Sequence, residues 1–231
     1  MIMASDILAR REEPVDLVIF DCDGVLVDSE RLSSIVLSRF LQDFGWTITA
    51  EECEVLFLGT SLRDIVARTE AAIGRRVPDD FGMRFSAAMV QALSAEVEAI
   101  PGAPQALHRL TEAGMPWRVA SNSSHAEMAV KFRRTGLARL VGDRQHSAED
   151  MLAMGLNGKP DPHLFLAAAK AGGVPPARCL VVEDSIPGTR AARAAGMACL
   201  GFSPRAEGHE LVAEGAGIFR DMAELPAILG L

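Results

Sequence analysis

Short unbroken apolar runs alternate along the chain with segments whose apolar residues recur every three or four positions. The runs Leu17–Phe20, Trp117–Ala120, Cys179–Glu183 and Ala198–Phe202, with a weaker one at Gly217–Arg220, predict strands buried on both faces. Between the later runs, the periodicity predicts helices over Pro104–Ala113, Ser124–Thr135, Pro162–Ala171 and Ile186–Ala195. Each is followed directly by a glycine, the usual C-terminal signal of a helix. Ser124 three positions before Glu127 fits a capping box. Strand and helix in this rhythm predict an α/β fold with a Rossmann-like, doubly wound parallel sheet.

One interval breaks the rhythm. From Asp28 to Ser121 the chain runs far beyond the dozen or so residues that a crossover between parallel strands needs. Its pattern is helical, with no convincing strand: Ser29–Phe44, a segment after the Thr49/Glu52 capping box, Leu62–Ile73 and Phe81–Ala99. The simplest account is a helical-bundle cap, residues 31–99, inserted after the first strand into a core formed by 1–30 and 100–231. Residues 1–14 read as a loosely held tail.

Composition narrows the function classes. The 231 residues carry a net charge of −8, which argues against nucleic-acid or anionic-membrane partners. No secretory signal is visible, and no apolar stretch reaches the roughly 18 residues of a membrane span. Four scattered cysteines without C-x-x-C fit reduced thiols, so a soluble cytoplasmic protein is expected. There is no G-x-S-x-G, Walker A or G-x-G-x-x-G, and the five histidines lack metal-ligand spacing.

Three predicted strands end in polar clusters, FDCDG (20–24), ASNS (120–123) and VEDS (182–185), and GKPDP (158–162) precedes a helix. In open parallel sheets, ligands bind beyond the carboxyl ends of the strands, so the four can converge. Asp21 and Asp23 lie two positions apart. One can attack a phosphorus while the other serves as general acid and base. Asp28 and Ser29 predict an N-cap for the helix that follows. Glu183 and Asp184, placed beside Asp21, would concentrate negative charge unless a hard cation offsets it, and so few oxygen ligands suit Mg²⁺. Ser121 and Asn122 near a helix start suit an anion, and Lys159 could clamp a phosphate as a point charge. Taken singly, a run such as SNSS is most often a helix cap, and a lone lysine such as Lys159 is usually a solvated side chain.

The ordered set resembles the haloacid dehalogenase superfamily of phosphotransferases. DCDGVLVDS (21–29) is similar to its first motif, Ser121-Asn122 to the second, Lys159 to the third and EDSIPG (183–188) to the fourth. The helical insertion resembles the cap of the subgroup with β-phosphoglucomutase and many sugar-phosphate phosphatases. Within it, DCDGVLVDSE is similar to phosphatases of phosphorylated sugar acids such as 6-phosphogluconate.

The resemblance implies Asp21 as nucleophile forming an aspartyl-phosphate, and Asp23 as the group that protonates the leaving oxygen and later deprotonates water. It implies Mg²⁺ held by Asp21, the Asp23 carbonyl and Asp184, with Glu183 in direct or supporting contact. Ser121, Asn122 and Lys159 would bind phosphoryl oxygens, and Arg63, Ser61 and His125 are candidates for substrate contact. The arginine of some cap-bearing relatives falls here at Leu62, with Arg63 one position later.

The resulting expectation is a Mg²⁺-dependent phosphatase of a small phosphorylated metabolite, a sugar phosphate or sugar acid phosphate, acting as a monomer or weak homo-oligomer. The alternative is a phosphohexomutase. The mutases of the subgroup place a histidine twelve residues past the nucleophile, where this chain has Ser33, which favours hydrolysis. A haloalkanoic-acid dehalogenase would need neither Asp23 nor the acids at 183–184. A binding protein would need no intact set of ionisable groups.

Overall fold

The computed structural model describes residues 2–57, 60 and 62–231, and of Glu30 the backbone alone. In chain order its strands are β1 (Leu17–Phe20), β2 (Val27–Asp28), β3 (Glu98–Ala99), β4 (Trp117–Ser121), β5 (Gln145–Ser147), β6 (Cys179–Glu183), β7 (Ala198–Phe202) and β8 (Gly217–Phe219). The helices are α1 (Ala4–Ala9), α2 (Glu30–Asp43), α3 (Ala50–Phe57), α4 (Leu62–Ile73), α5 (Phe81–Glu96), α6 (Ala103–Glu112), α7 (His125–Arg134), α8 (Ala138–Val141), α9 (Ala148–Ala153), α10 (His163–Gly172), α11 (Ile186–Ala194), α12 (His209–Ala213) and α13 (Leu225–Ile228).

Six strands form one parallel sheet in the order β5-β4-β1-β6-β7-β8. Alternate residues serve different cores. Val18, Phe20, Val119, Leu180 and Val182 face one, and Leu17, Ile19, Ala120, Val181 and Ile218 the other. Strands covered on both sides cannot show polar alternation, which is why they read as unbroken apolar runs. β4 and β6 flank β1, so the chain reverses its direction of travel across the sheet at the centre, where a crevice opens beyond the carboxyl ends.

Helices α2–α5 fill the long interval after the first strand and have a core of their own, built on Leu37, Phe40, Leu41, Phe44, Phe57, Ile65 and Phe81. Phe40 and Phe81 meet edge to face with ring centroids 5.0 Å apart. The Thr49/Glu52 box forms as predicted, each side chain accepting the other residue's backbone N–H, at 3.1 and 2.8 Å.

Two expectations need correction. The interval does hold strand: β2 and β3 pair antiparallel at its two ends, Val27 against Ala99 and Asp28 against Glu98. Two-residue strands carry too little sequence to show a period. The tail expected over 1–14 is also not loose over its described residues, 2–14. Ala4 is buried, the Ile218 N–H donates to the Ile2 carbonyl at 2.9 Å, and the Arg11 guanidinium donates to the Ala177 carbonyl at 2.7 Å. Among the described residues, no helix is long and apolar enough to cross a membrane.

Candidate active site

Register builds the site. Phe20 pairs with Val119 on one side and Val182 on the other, so Asp21, Ser121 and Glu183 emerge along one rim of the sheet. The Asp21 N–H still bonds the Val182 carbonyl at 2.9 Å, fixing the backbone one residue beyond β1. Asp21 Oδ1 accepts the Cys22 N–H and sits 2.7 Å from Lys159 Nζ. The same ammonium donates to Glu183 Oε1 at 2.7 Å and lies 4.9 Å from the centroid of the Phe165 ring. The second oxygen of Glu183 accepts the N–H groups of Asp184 and Ser185 and the Ser185 hydroxyl, at 2.9, 2.9 and 2.8 Å. Burial lifts the Asp21 carboxyl to about 7, with Glu183 and Asp23 adding to the rise and Lys159 opposing it. For Lys159, burial acts downward, but the two carboxylates prevail and raise it.

Asp23 has a different surround. Its Oδ1 accepts from Lys131 Nζ at 2.6 Å and from the Ser29 hydroxyl in a very short contact. Oδ2 accepts from the hydroxyls of Ser123 at 2.7 Å and Ser121 at 3.2 Å. Burial alone would raise this carboxyl; the Lys131 charge and the donors outweigh it and hold the group at about 2. Lys131 and Ser123 were not singled out in the sequence. A signal existed: Met128, Lys131 and Phe132 share one face of α7 and are all buried. A lysine on an apolar helix face needs a partner.

The structure separates the remaining candidates. Asn122 lines the central cavity and is tied to the third motif. Its side chain bonds the Lys159 backbone both ways, Oδ1 accepting the N–H at 2.9 Å and Nδ2 donating to the carbonyl at 3.2 Å. Asp28 does not cap α2. Its pairing in β2 turns it to Arg205, 3.5 Å away, while Ser29 holds the N-cap position and spends its hydroxyl on Asp23. His125 faces α9, bonding Asp150 at 2.9 Å, and does not line the central cavity. Arg63 is exposed on α4 and does not line it either, whereas Leu62 does. Ser61 lies outside the described residues.

Oxygen atoms of Asp21, Glu183 and Asp184 lie within 4.8 Å of one another, a set that could hold a metal ion. The backbone is shaped around these acids. Gly24 has φ +72°, and a Cβ there would fall 1.7 Å from Asp184 Oδ2, while one on Gly188 would fall 1.7 Å from Glu183 Oε1. Above the rim opens a cavity of about 670 Å³, roofed by α2–α5 through residues such as Leu37, Phe57, Ile65, Phe85 and Met89.

Comparison with known proteins agrees with this geometry. The family model of haloacid dehalogenase-like hydrolases matches residues 15–196. The 6-phosphogluconate phosphatase of Escherichia coli K12 is 29% identical over 93% of this chain and 94% of its own. A probable pseudouridine-5'-phosphatase of Drosophila melanogaster is 32% identical, covering 84% and 83%. A haloacid dehalogenase-like protein of unknown function from Agrobacterium tumefaciens C58, solved as a crystal structure, superposes with a TM-score of 0.79 at 35% identity, over 94% of this chain and 98% of that one. The motifs at the rim, the sheet order and the family match lead to one assignment: the chain is an enzyme belonging to the haloacid dehalogenase-like hydrolases.

Proposed function

We propose that the enzyme is a Mg²⁺-dependent phosphomonoesterase of small phosphorylated carbohydrate-type metabolites. The observation that carries this reading is the pair Asp21 and Asp23, side by side at one rim yet held in opposite electrostatic surrounds. In the first step an Asp21 oxygen attacks phosphorus, the P–O bond to the alcohol breaks, and the leaving oxygen takes a proton from the Asp23 carboxyl. In the second, water attacks the aspartyl-phosphate and gives its proton to the Asp23 carboxylate. The bond from phosphorus to Asp21 breaks, freeing inorganic phosphate. The donors around Asp23 favour the ionised form that the second step needs. Protonating the leaving oxygen requires part of that cradle to let go.

Hard oxygen donors and the raised Asp21 carboxyl fit a divalent cation. Asp21, Asp184 and the Asp23 carbonyl would hold it, and Glu183, with both oxygens engaged, supports them from behind. Bound there, Mg²⁺ would neutralise phosphoryl charge. Lys159 and Ser121 would meet the phosphoryl oxygens, with Asn122 positioning Lys159. Residues 31–99 would act as a cap over a core of 1–30 and 100–231. Hydrolysis rather than mutase chemistry is favoured because Ser33, lining the cavity, already donates its hydroxyl to the Ser29 carbonyl at 2.8 Å.

Phosphate release from an aryl phosphate in Mg²⁺ buffer tests the reading, with EDTA removing activity and Mg²⁺ restoring it. The Asp21→Asn variant should lose about 10⁴-fold or more, as nucleophile deletions do. Wild-type turnover in a folded variant sinks the mechanism.

A further inference from the structure

We infer that the enzyme selects phosphate esters whose leaving group is uncharged and hydroxyl-bearing, and discriminates against a leaving group with a second anion such as a carboxylate or another phosphate. The inference rests on the phosphatase reading and narrows its substrate.

The cavity has two unlike walls. On the rim, both ammonium groups are committed to carboxylates, Lys159 to Asp21 and Glu183, and Lys131 to Asp23. What remains for an anion there is needed by the phosphoryl group itself. The opposite wall presents Leu37, Phe57, Ile65, Phe85 and Met89, interspersed with the hydroxyls of Ser33, Ser34, Thr60 and Ser86. The chain has 20 arginines, yet among the described residues lining the cavity there is none.

The flanks add negative charge. Glu127, Glu149 and Glu210 line the cavity alongside the catalytic acids. Glu149 accepts from the His125 N–H at 2.9 Å, a neutral donor, and Glu127 accepts from the Ser124 N–H and hydroxyl at 2.8 and 3.0 Å and adds its charge to the field on Lys131, already committed to Asp23. A carboxylate on the far end of a substrate would lose water, find no cation and face these acids. A hydroxymethyl group in the same place would find serine and threonine hydroxyls and lose little. The selection is made by repulsion as much as by fit.

A matched pair of probes decides it: glucitol 6-phosphate and 6-phosphogluconate, which share a carbon chain and differ by hydroxymethyl against carboxylate. Binding is measured calorimetrically in Mg²⁺ with the Asp21→Asn variant, whose turnover should be slower by about 10⁴-fold or more. Competition against aryl phosphate hydrolysis by the wild type gives the same ratio without any variant. The polyol ester should bind at least about tenfold tighter, as like charges in a partly desolvated site require. Adding Ser86→Arg, on the exposed flank of α5, should narrow the ratio by improving the acid alone. Equal binding, tighter binding of the acid, or binding of neither ester overturns the inference. Selective binding without any phosphate release would leave it standing and remove the phosphatase reading instead.

Discussion

The rim of the sheet and the helical roof above it are built on opposite terms. Three ionisable groups on the rim are locked by several partners: Glu183 by four donors, Asp23 by four, Lys159 by two carboxylates. The roof offers apolar side chains and single hydroxyls, with cohesion supplied by its own aromatic cluster. Chemistry needs fixed charges and therefore a dense hydrogen-bonded lattice, whereas selection needs shape and the withholding of charge. A substitution on the rim should alter rate, and one on the roof should alter which ester is accepted.

The largest test of that contrast is Asp23→Asn. It should cost about 10² to 10⁴ in turnover of alkyl phosphates, the range for lost acid–base catalysis. The loss should be smaller for aryl phosphates, whose leaving groups need less protonation; parallel kcat measurements on both kinds give the comparison. Equal losses would remove Asp23 from leaving-group protonation.

Lys131→Met comes next. Stripping the charge from Asp23 should lower activity about 10- to 100-fold, the scale for groups that orient a reacting centre. The Asp23 carboxyl should rise from about 2 toward ordinary values, moving the acid limb of the pH profile upward. The sign for stability follows from the depressed value. The pair stabilises the folded state above the ordinary carboxylate pKa of 3.8, and this contribution fades as pH falls toward about 2. Urea melts of the two proteins should therefore differ at pH 6 and converge near pH 2 to 3.

Gly24→Ala should act on the cation. The added methyl meets Asp184, so half-maximal activity should require roughly tenfold more Mg²⁺, on the scale seen for disturbed metal surrounds. An Mg²⁺ titration reads this directly. Arg63→Ala should be nearly silent, within about twofold in kcat/KM, as befits an exposed side chain outside the cavity. A tenfold loss would bring Arg63 into a substrate contact that its position here does not offer.

The parts of the molecule that were legible in the sequence are those governed by local rules or by burial on both faces. β1, β6 and β7 announced themselves because a doubly covered strand tolerates few polar positions, and the ends of β1 and β6 fell where the acids stand. The boxes at Thr49/Glu52 and Ser124/Glu127 are four-residue devices and formed as read. β5, Gln145–Ser147, went unseen because an edge strand of polar residues draws its identity from the neighbour it pairs with. Asp28 misled for a related reason, since its pairing to Glu98 lies 70 positions away in the chain. Lys131 was hidden because its partner, Asp23, is reached only when Met128 and Phe132 of α7 join the core on one face of the sheet.

The docking of the first residues has a consequence for behaviour at high concentration. β8 is the outermost strand on its side of the sheet, and such a strand offers unpaired amides to any other chain with a free edge. Met3 forms a bridge with Ile218 there, and α1 lies so close that a Cβ on Gly217 would stand 2.7 Å from the Met3 carbonyl oxygen. The segment works as a guard rail: it takes up the Ile218 N–H, which bonds the Ile2 carbonyl at 2.9 Å and is no longer offered to another chain. Without it, the Gly217–Phe219 edge would be uncovered, and a chain lacking residues 2–10 should show more self-association by light scattering than the intact one.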